Sequence, residues 1–127
     1  MPNKEGAKEW FEKAEQDLAA VETLLKEGTS PNVACFLCQQ IAEKYLKGFL
    51  AYKDLHVRKI HDLKMLVDDC IKIDKSFEVL QDSARFLNQF YIESRYPDDY
   101  VEFSRDDAKQ AYQEANKIKK LILDSIK

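Results

Sequence analysis

The stretch SPNVACFLCQQIAEKYLKGFLAYK, residues 30–53, decides the fold. Its apolar residues Val33, Ala34, Phe36, Leu37, Cys38, Ile41, Ala42, Tyr45, Leu46, Phe49 and Leu50 recur at three- and four-residue steps, the period of a helix. The stripe is too wide for a helix with one buried side, so this segment is expected at the centre of a bundle. Ser30 followed by Pro31 reads as an N-cap and a first-turn proline. Polar residues inside such a helix need partners: Gln39 and Gln40 must bond to neighbouring helices, across an interface or to a ligand. Phe36, Tyr45, Phe49 and Tyr52 are expected either in the monomer core or at a two-fold contact with a second copy. Cys35 and Cys38 form a C-x-x-C, but the helical period puts both on one apolar face, and Cys70 is the only further thiol. They read as small core residues, because a metal site lacks its remaining ligands.

The same period extends outward in both directions. Over residues 7–26, Trp10, Phe11, Ala14, Leu18, Val21, Leu24 and Leu25 mark a first amphipathic helix, stopped by Gly28. Residues 54–60 are a connection, and a short helix over 62–73 turns Leu63, Leu66, Val67 and Cys70 inward. A fourth helix is predicted over 75–93 with Phe77, Leu80, Ala84, Leu87, Phe90 and Tyr91 as its core face, ended by Pro97. Ser104, with Asp107 three residues later, is placed to cap a fifth helix carrying Ala108, Ala111, Tyr112, Ala115, Ile118, Leu121 and Ile122. No segment alternates long enough to propose a strand. The expected fold is all-α, an up-and-down bundle of four to five helices forming a single domain over residues 1–127.

Composition agrees. At 127 residues the chain can remove roughly two thirds of its extended surface from water, enough for one independent core. It is 45% hydrophobic and 34% charged, with no apolar run of membrane-spanning length and no apolar leader between Met1 and Trp10. A cytoplasmic protein with reduced thiols is expected. The net charge of −3 excludes nucleic-acid coating through bulk electrostatics. The charge is nevertheless polarised: Lys44, Lys47, Lys53, Arg58, Lys59 and Lys64 outnumber the anions between residues 40 and 64, while the first helix and residues 98–107 lean acidic.

Helix lengths suggest where chemistry would gather. At 1.5 Å per residue, the third helix would span roughly 18 Å and the fourth roughly 28 Å, so an antiparallel fourth helix returns to His61 and overshoots it. That brings Lys47, His61, Arg95, Tyr96 and Asp98 to one end of the bundle. Arg95 could clamp a phosphate with its planar fork, Lys44 and Lys47 could add positive charge, and Tyr96 or Tyr100 could stack on a base. The structural alternative makes Tyr96-Pro97 a helix stop, His61-Asp62 a helix start, and Arg95 a partner of Asp98 or Asp99. Glu43 with Asp62 is a weak metal signal without a third ligand.

The segments Glu43-Lys44-Tyr45-Leu46-Lys47, His61-Asp62-Leu63 and Ser94-Arg95-Tyr96-Pro97-Asp98 resemble, in order and spacing, those of the HEPN domains. These are nucleotide-binding helical bundles that often accompany a minimal nucleotidyltransferase. The resemblance implies a homodimeric helical protein that binds a separately encoded nucleotidyltransferase and can hold nucleotide or RNA, with Lys44, Lys47, His61, Arg95, Tyr96 and Asp98 as binding residues and no cofactor or metal. Many HEPN domains are ribonucleases with an Arg followed five to seven residues later by His. Here those positions read Leu63-Lys64-Met65 after Arg58, Phe90-Tyr91-Ile92 after Arg85, Tyr100-Val101-Glu102 after Arg95 and Gln110-Ala111-Tyr112 after Arg105. A binding role is therefore expected. The alternative is a divergent metal-independent ribonuclease, or the toxin of a toxin-antitoxin pair, with His61 standing in as base beside Arg95.

Overall fold

Among the described residues the amphipathic segments become five α-helices, α1 (Lys4–Glu27), α2 (Pro31–Tyr52), α3 (Leu63–Ile71), α4 (Gln81–Asn88) and α5 (Arg105–Ser125), with a 3₁₀ helix (Lys75–Leu80) leading into α4. The structure, a computed structural model, describes residues 3–91 and 100–127. No strand occurs among the described residues, and no helix there is long and apolar enough to cross a membrane.

Local chemistry sets the helix ends. Gly28 stops α1 in the left-handed region at φ 66°, where its N–H and that of Thr29 satisfy the carbonyls of Leu25 and Leu24. A side chain at this position would be strained and would also meet the Arg105 guanidinium. Ser104 and Asp107 form a reciprocal capping box on α5, as their spacing predicts. Ser30 departs from its expected role: it precedes α2 at φ 52° and makes no side-chain cap, so the helix starts on the preset φ of Pro31.

α2 occupies the centre and packs against α1, α3, α4 and α5. α1 runs antiparallel to it: Asn3 N–H bonds the Tyr52 carbonyl near one end, and Lys44 reaches Asp17 further along. α5 is antiparallel to α1, with Tyr112 donating to Glu22 and Lys119 pairing with Glu15. Tyr45 and Phe49 are fully buried, Phe49 against Phe77 with ring centroids 4.5 Å apart. These two rings belong to the monomer core and are not available to a two-fold contact, whereas Phe36 and Tyr52 remain half-buried. Cys35, Cys38 and Cys70 are free thiols buried in the same core.

The segment predicted as one helix over 75–93 differs from that expectation. The Asp74 carboxylate accepts from both the N–H and the hydroxyl of Ser76, fixing a tight first turn. Phe77 and Leu80, three residues apart, then share the buried side that a three-residue turn provides. The α-helical part ends at Asn88, and Glu93 lies outside the described residues. α4 consequently stops level with the start of α3 and does not overshoot it. Asn88 Oδ1 accepts from Leu63 N–H at 2.7 Å, and its Nδ2 donates to Asp62 Oδ1 at 3.0 Å.

Candidate functional site

Gln39, Glu43 and Lys47 follow one another at four-residue spacing, so α2 stacks them on one face. All three are buried, at 0%, 5% and 5% exposure, which requires that their polar atoms be satisfied inside the protein. Glu43 is the hub. Its Oε2 accepts from Lys47 Nζ at 3.0 Å, and its Oε1 lies 3.0 Å from His61 Nδ1 and 3.4 Å from Gln39 Nε2. Gln39 Nε2 also donates to the His61 carbonyl at 3.0 Å, and its Oε1 accepts from Gln40 Nε2 at 2.7 Å. The two glutamines thus find protein partners. Among the described residues no buried side-chain nitrogen or oxygen lacks one.

His61 reaches the surface from this network, its side chain 49% exposed. The Asp62 cap holds the backbone beside it: Asp62 Oδ1 accepts from Lys64 N–H and Met65 N–H at the N-terminus of α3. The imidazole stacks on Tyr91 with centroids 4.5 Å apart and planes 17° apart, and Tyr91 in turn lies 6.4 Å from Phe36 of α2. Three rings from three segments therefore form a shelf beside the polar network. Because a carboxylate only accepts, Glu43 fixes the proton of a neutral imidazole on Nδ1 and leaves Nε2 with its lone pair.

Of the residues singled out from sequence, Lys47 and His61 meet at Glu43. The Lys47 ammonium is neutralised there and covered by the Trp10 indole, 5.6 Å from the ring centroid. Lys44, only three residues earlier, is committed to Asp17 of α1. Arg95, Tyr96 and Asp98 lie outside the described residues. Arg58 is held by Asp69 through two hydrogen bonds of 2.9 and 3.1 Å. The sequence reading assigns Tyr91 to the core face of its helix, weighs Phe36 only for the core or a two-fold contact, and weighs Glu43 only as a metal ligand. The signal for Glu43 was a carboxylate and an ammonium one turn apart within an apolar stripe. No cluster of three metal-ligating side chains occurs among the described residues. A concavity of about 840 Å³ lies elsewhere, between the first half of α1, Tyr52 and Ile126, and gathers none of these groups.

Other titrating groups are structural. Burial pushes the Cys35 and Cys38 thiols up to about 12, aided by Asp107 and Cys35 respectively, and burial with Asp69 raises Cys70 further. Burial and the hydrogen bond to Glu15 likewise raise Tyr45. These groups stay neutral at physiological pH and hold the core together.

Two solved structures share this arrangement of helices. A Thermus thermophilus protein is 29% identical, the match covering 93% of this chain and 96% of that one with a TM-score of 0.78. An archaeal HEPN homologue is also 29% identical, over 95% of this chain and 98% of its own, with a TM-score of 0.75. No curated protein matches the chain. The family model described as HEPN domain matches residues 7–126, which takes in every helix from most of α1 to the end of α5. With that family model spanning nearly the whole chain and a solved HEPN homologue sharing its arrangement of helices, the chain belongs to the HEPN domain family.

Proposed function

We propose that this HEPN protein is a non-catalytic module that pairs with a separate minimal nucleotidyltransferase and holds a nucleotide or polynucleotide on the shelf of Phe36, Tyr91 and His61. The stack of the half-exposed His61 on Tyr91 at 4.5 Å carries the reading. A base laid on such a platform gains about 1–3 kcal/mol without needing a basic surface, which suits a chain of net charge −3. Glu43 contributes preorganisation by holding the ring before a ligand arrives. In this reading the phosphate falls to Arg95, four residues beyond Tyr91 in the chain. Co-expression with the product of an adjacent nucleotidyltransferase reading frame tests the partner: the two chains should elute together. A chain that stays separate from that product removes this half of the proposal. Thermal unfolding in the presence of nucleoside monophosphates tests the ligand, since binding to the folded state must raise the midpoint.

A second reading, RNA cleavage, is favoured by the same Glu43 contact, which presents the His61 Nε2 lone pair as a proton acceptor for a 2′-hydroxyl. Incubation with RNA under chelator separates the two. Cleavage lost in both His61→Ala and Arg95→Ala supports the enzyme, and cleavage unchanged in either variant refutes it.

A further inference from the structure

His61 is held at one edge and open at the other. Its Nδ1 lies 3.0 and 3.2 Å from the two oxygens of Glu43, while Nε2, across the ring, has no protein partner among the described residues. Glu43 is already balanced, because the Lys47 ammonium sits 3.0 Å from its Oε2 and both side chains are buried. The other charges nearby are committed elsewhere. Asp62 caps α3 and accepts from Asn88, Lys64 turns to Asp68, Lys44 to Asp17 and Arg58 to Asp69, and Tyr91 faces the imidazole as a ring. The first N–H groups of α3 are taken by Asn88 and Asp62 and so are closed to an anion. Lys47 and Glu43 therefore form a neutral pair behind a neutral imidazole. A proton added at Nε2 alone would set two cations against one buried carboxylate.

Resting on the nucleotide reading above, we infer that a phosphate group of the ligand binds at the Nε2 edge together with one proton, which passes from solvent to Nε2. The imidazolium then donates to Glu43 through Nδ1–H and to a phosphate oxygen through Nε2–H. A carboxylate behind the ring stabilises the imidazolium as it forms, and the phosphate supplies the negative charge that Lys47 has already taken from Glu43. Proton and phosphate consequently strengthen each other's binding by the same factor. Lys47 sets this coupling, since its charge keeps the imidazole neutral until the anion arrives. Stacking uses the faces of the shelf rings and this contact uses the outer edge of one, so base and phosphate do not compete for the same space.

Titration calorimetry with adenosine monophosphate at pH 7.5, in two buffers of different ionisation enthalpy, counts the protons taken up. A phosphate monoester, with its second pKa at about 6, is then largely dianionic and exchanges few protons of its own. The native protein should take up at least about half a proton with adenosine monophosphate and none with adenosine. Its affinity for the nucleotide should fall as pH rises from 7 to 9, by up to about tenfold per pH unit, the limit for one coupled proton. His61→Phe keeps a ring against Tyr91 and should bind more weakly, without uptake. Lys47→Met leaves Glu43 to charge the imidazole beforehand, so uptake should shrink while the nucleotide still binds; thermal unfolding checks that both variants are folded. Nucleotide bound by the native protein without uptake, or with equal uptake in folded His61→Phe, overturns the coupling and leaves the nucleotide reading standing. Undiminished uptake in folded Lys47→Met overturns the part given to Lys47, and no binding of either ligand removes the inference and the nucleotide reading together.

Discussion

Glu43→Gln keeps the shape of the side chain and removes the charge that neutralises Lys47. The two groups are 3.0 Å apart and each side chain is 6% exposed, so the stranded ammonium cannot recover its hydration without opening the α1–α2 interface. Breaking a buried pair from one side costs about 3–5 kcal/mol. The Trp10 face at 5.6 Å offsets about 1 kcal/mol of that, leaving a loss of about 2–4 kcal/mol. At roughly 2.1 cal/mol/K of unfolding entropy per residue, a chain of 127 residues should lose roughly 7–15 °C in Tm. Replacing both partners differs, because Met at position 47 fills the slot without a charge: Glu43→Gln with Lys47→Met should recover all but about 1 kcal/mol. Urea denaturation of native, single and double variants measures this directly. A single-variant loss under about 1 kcal/mol, or a double variant no better than the single, would refute the claim that an uncompensated buried charge dominates the energetics here.

Gly48→Ala sets helix propensity against packing. Alanine gains about 1 kcal/mol in the middle of α2, but its Cβ would lie 2.7 Å from Phe11 Cδ1 and 3.1 Å from Trp10 Cβ, and such crowding costs about 1–3 kcal/mol. A net loss of about 1 kcal/mol is expected, partly recovered by Phe11→Leu, and a variant as stable as the native protein would show that α1 yields freely. The Cys35, Cys38 and Cys70 thiols, buried and with raised pKa values, should resist a thiol reagent at pH 8 and titrate together only in denaturant. Fast labelling of any of them in the folded protein contradicts that burial. Hydrogen bonds from the Ser76 hydroxyl and N–H hold the Asp74 carboxyl below its ordinary range. Its contribution is therefore present above the unfolded carboxylate value and lost as pH falls through the folded one. Asp74→Ala should cost about 1 kcal/mol at neutral pH, and the gap in stability should close as pH falls through the lowered value of the folded carboxyl. A pH-independent gap would assign the loss to packing.

α1, α2 and α5 were legible because each carries an apolar stripe repeated over several turns, and a wide stripe can only belong to a central helix. The segment after Asp74 was less legible. Phe77 and Leu80 fit both a three-residue and a 3.6-residue turn, and only the side chain of Asp74 folded back on Ser76 selects the tighter one. The candidate site shows the same division. His61 stands out in sequence as a titrating residue at a helix start, but its partner Glu43 is 18 residues away, and one charged residue in a helix does not announce that it is buried. Tyr91 fits the apolar stripe of its segment as well as it fits a stacking surface.

What the chain by itself determined is the class of fold, the order of its helices and the inward face of each, because these follow from a local period and from capping residues a few positions apart. The direction of its charges was decided only by tertiary structure. Lys44 and Lys47 are nearly adjacent in sequence, yet one turns to Asp17 on α1 and the other to Glu43 beneath Trp10. Electrostatic energy depends on distance and burial, and the bundle sets both by bringing together residues from separate helices.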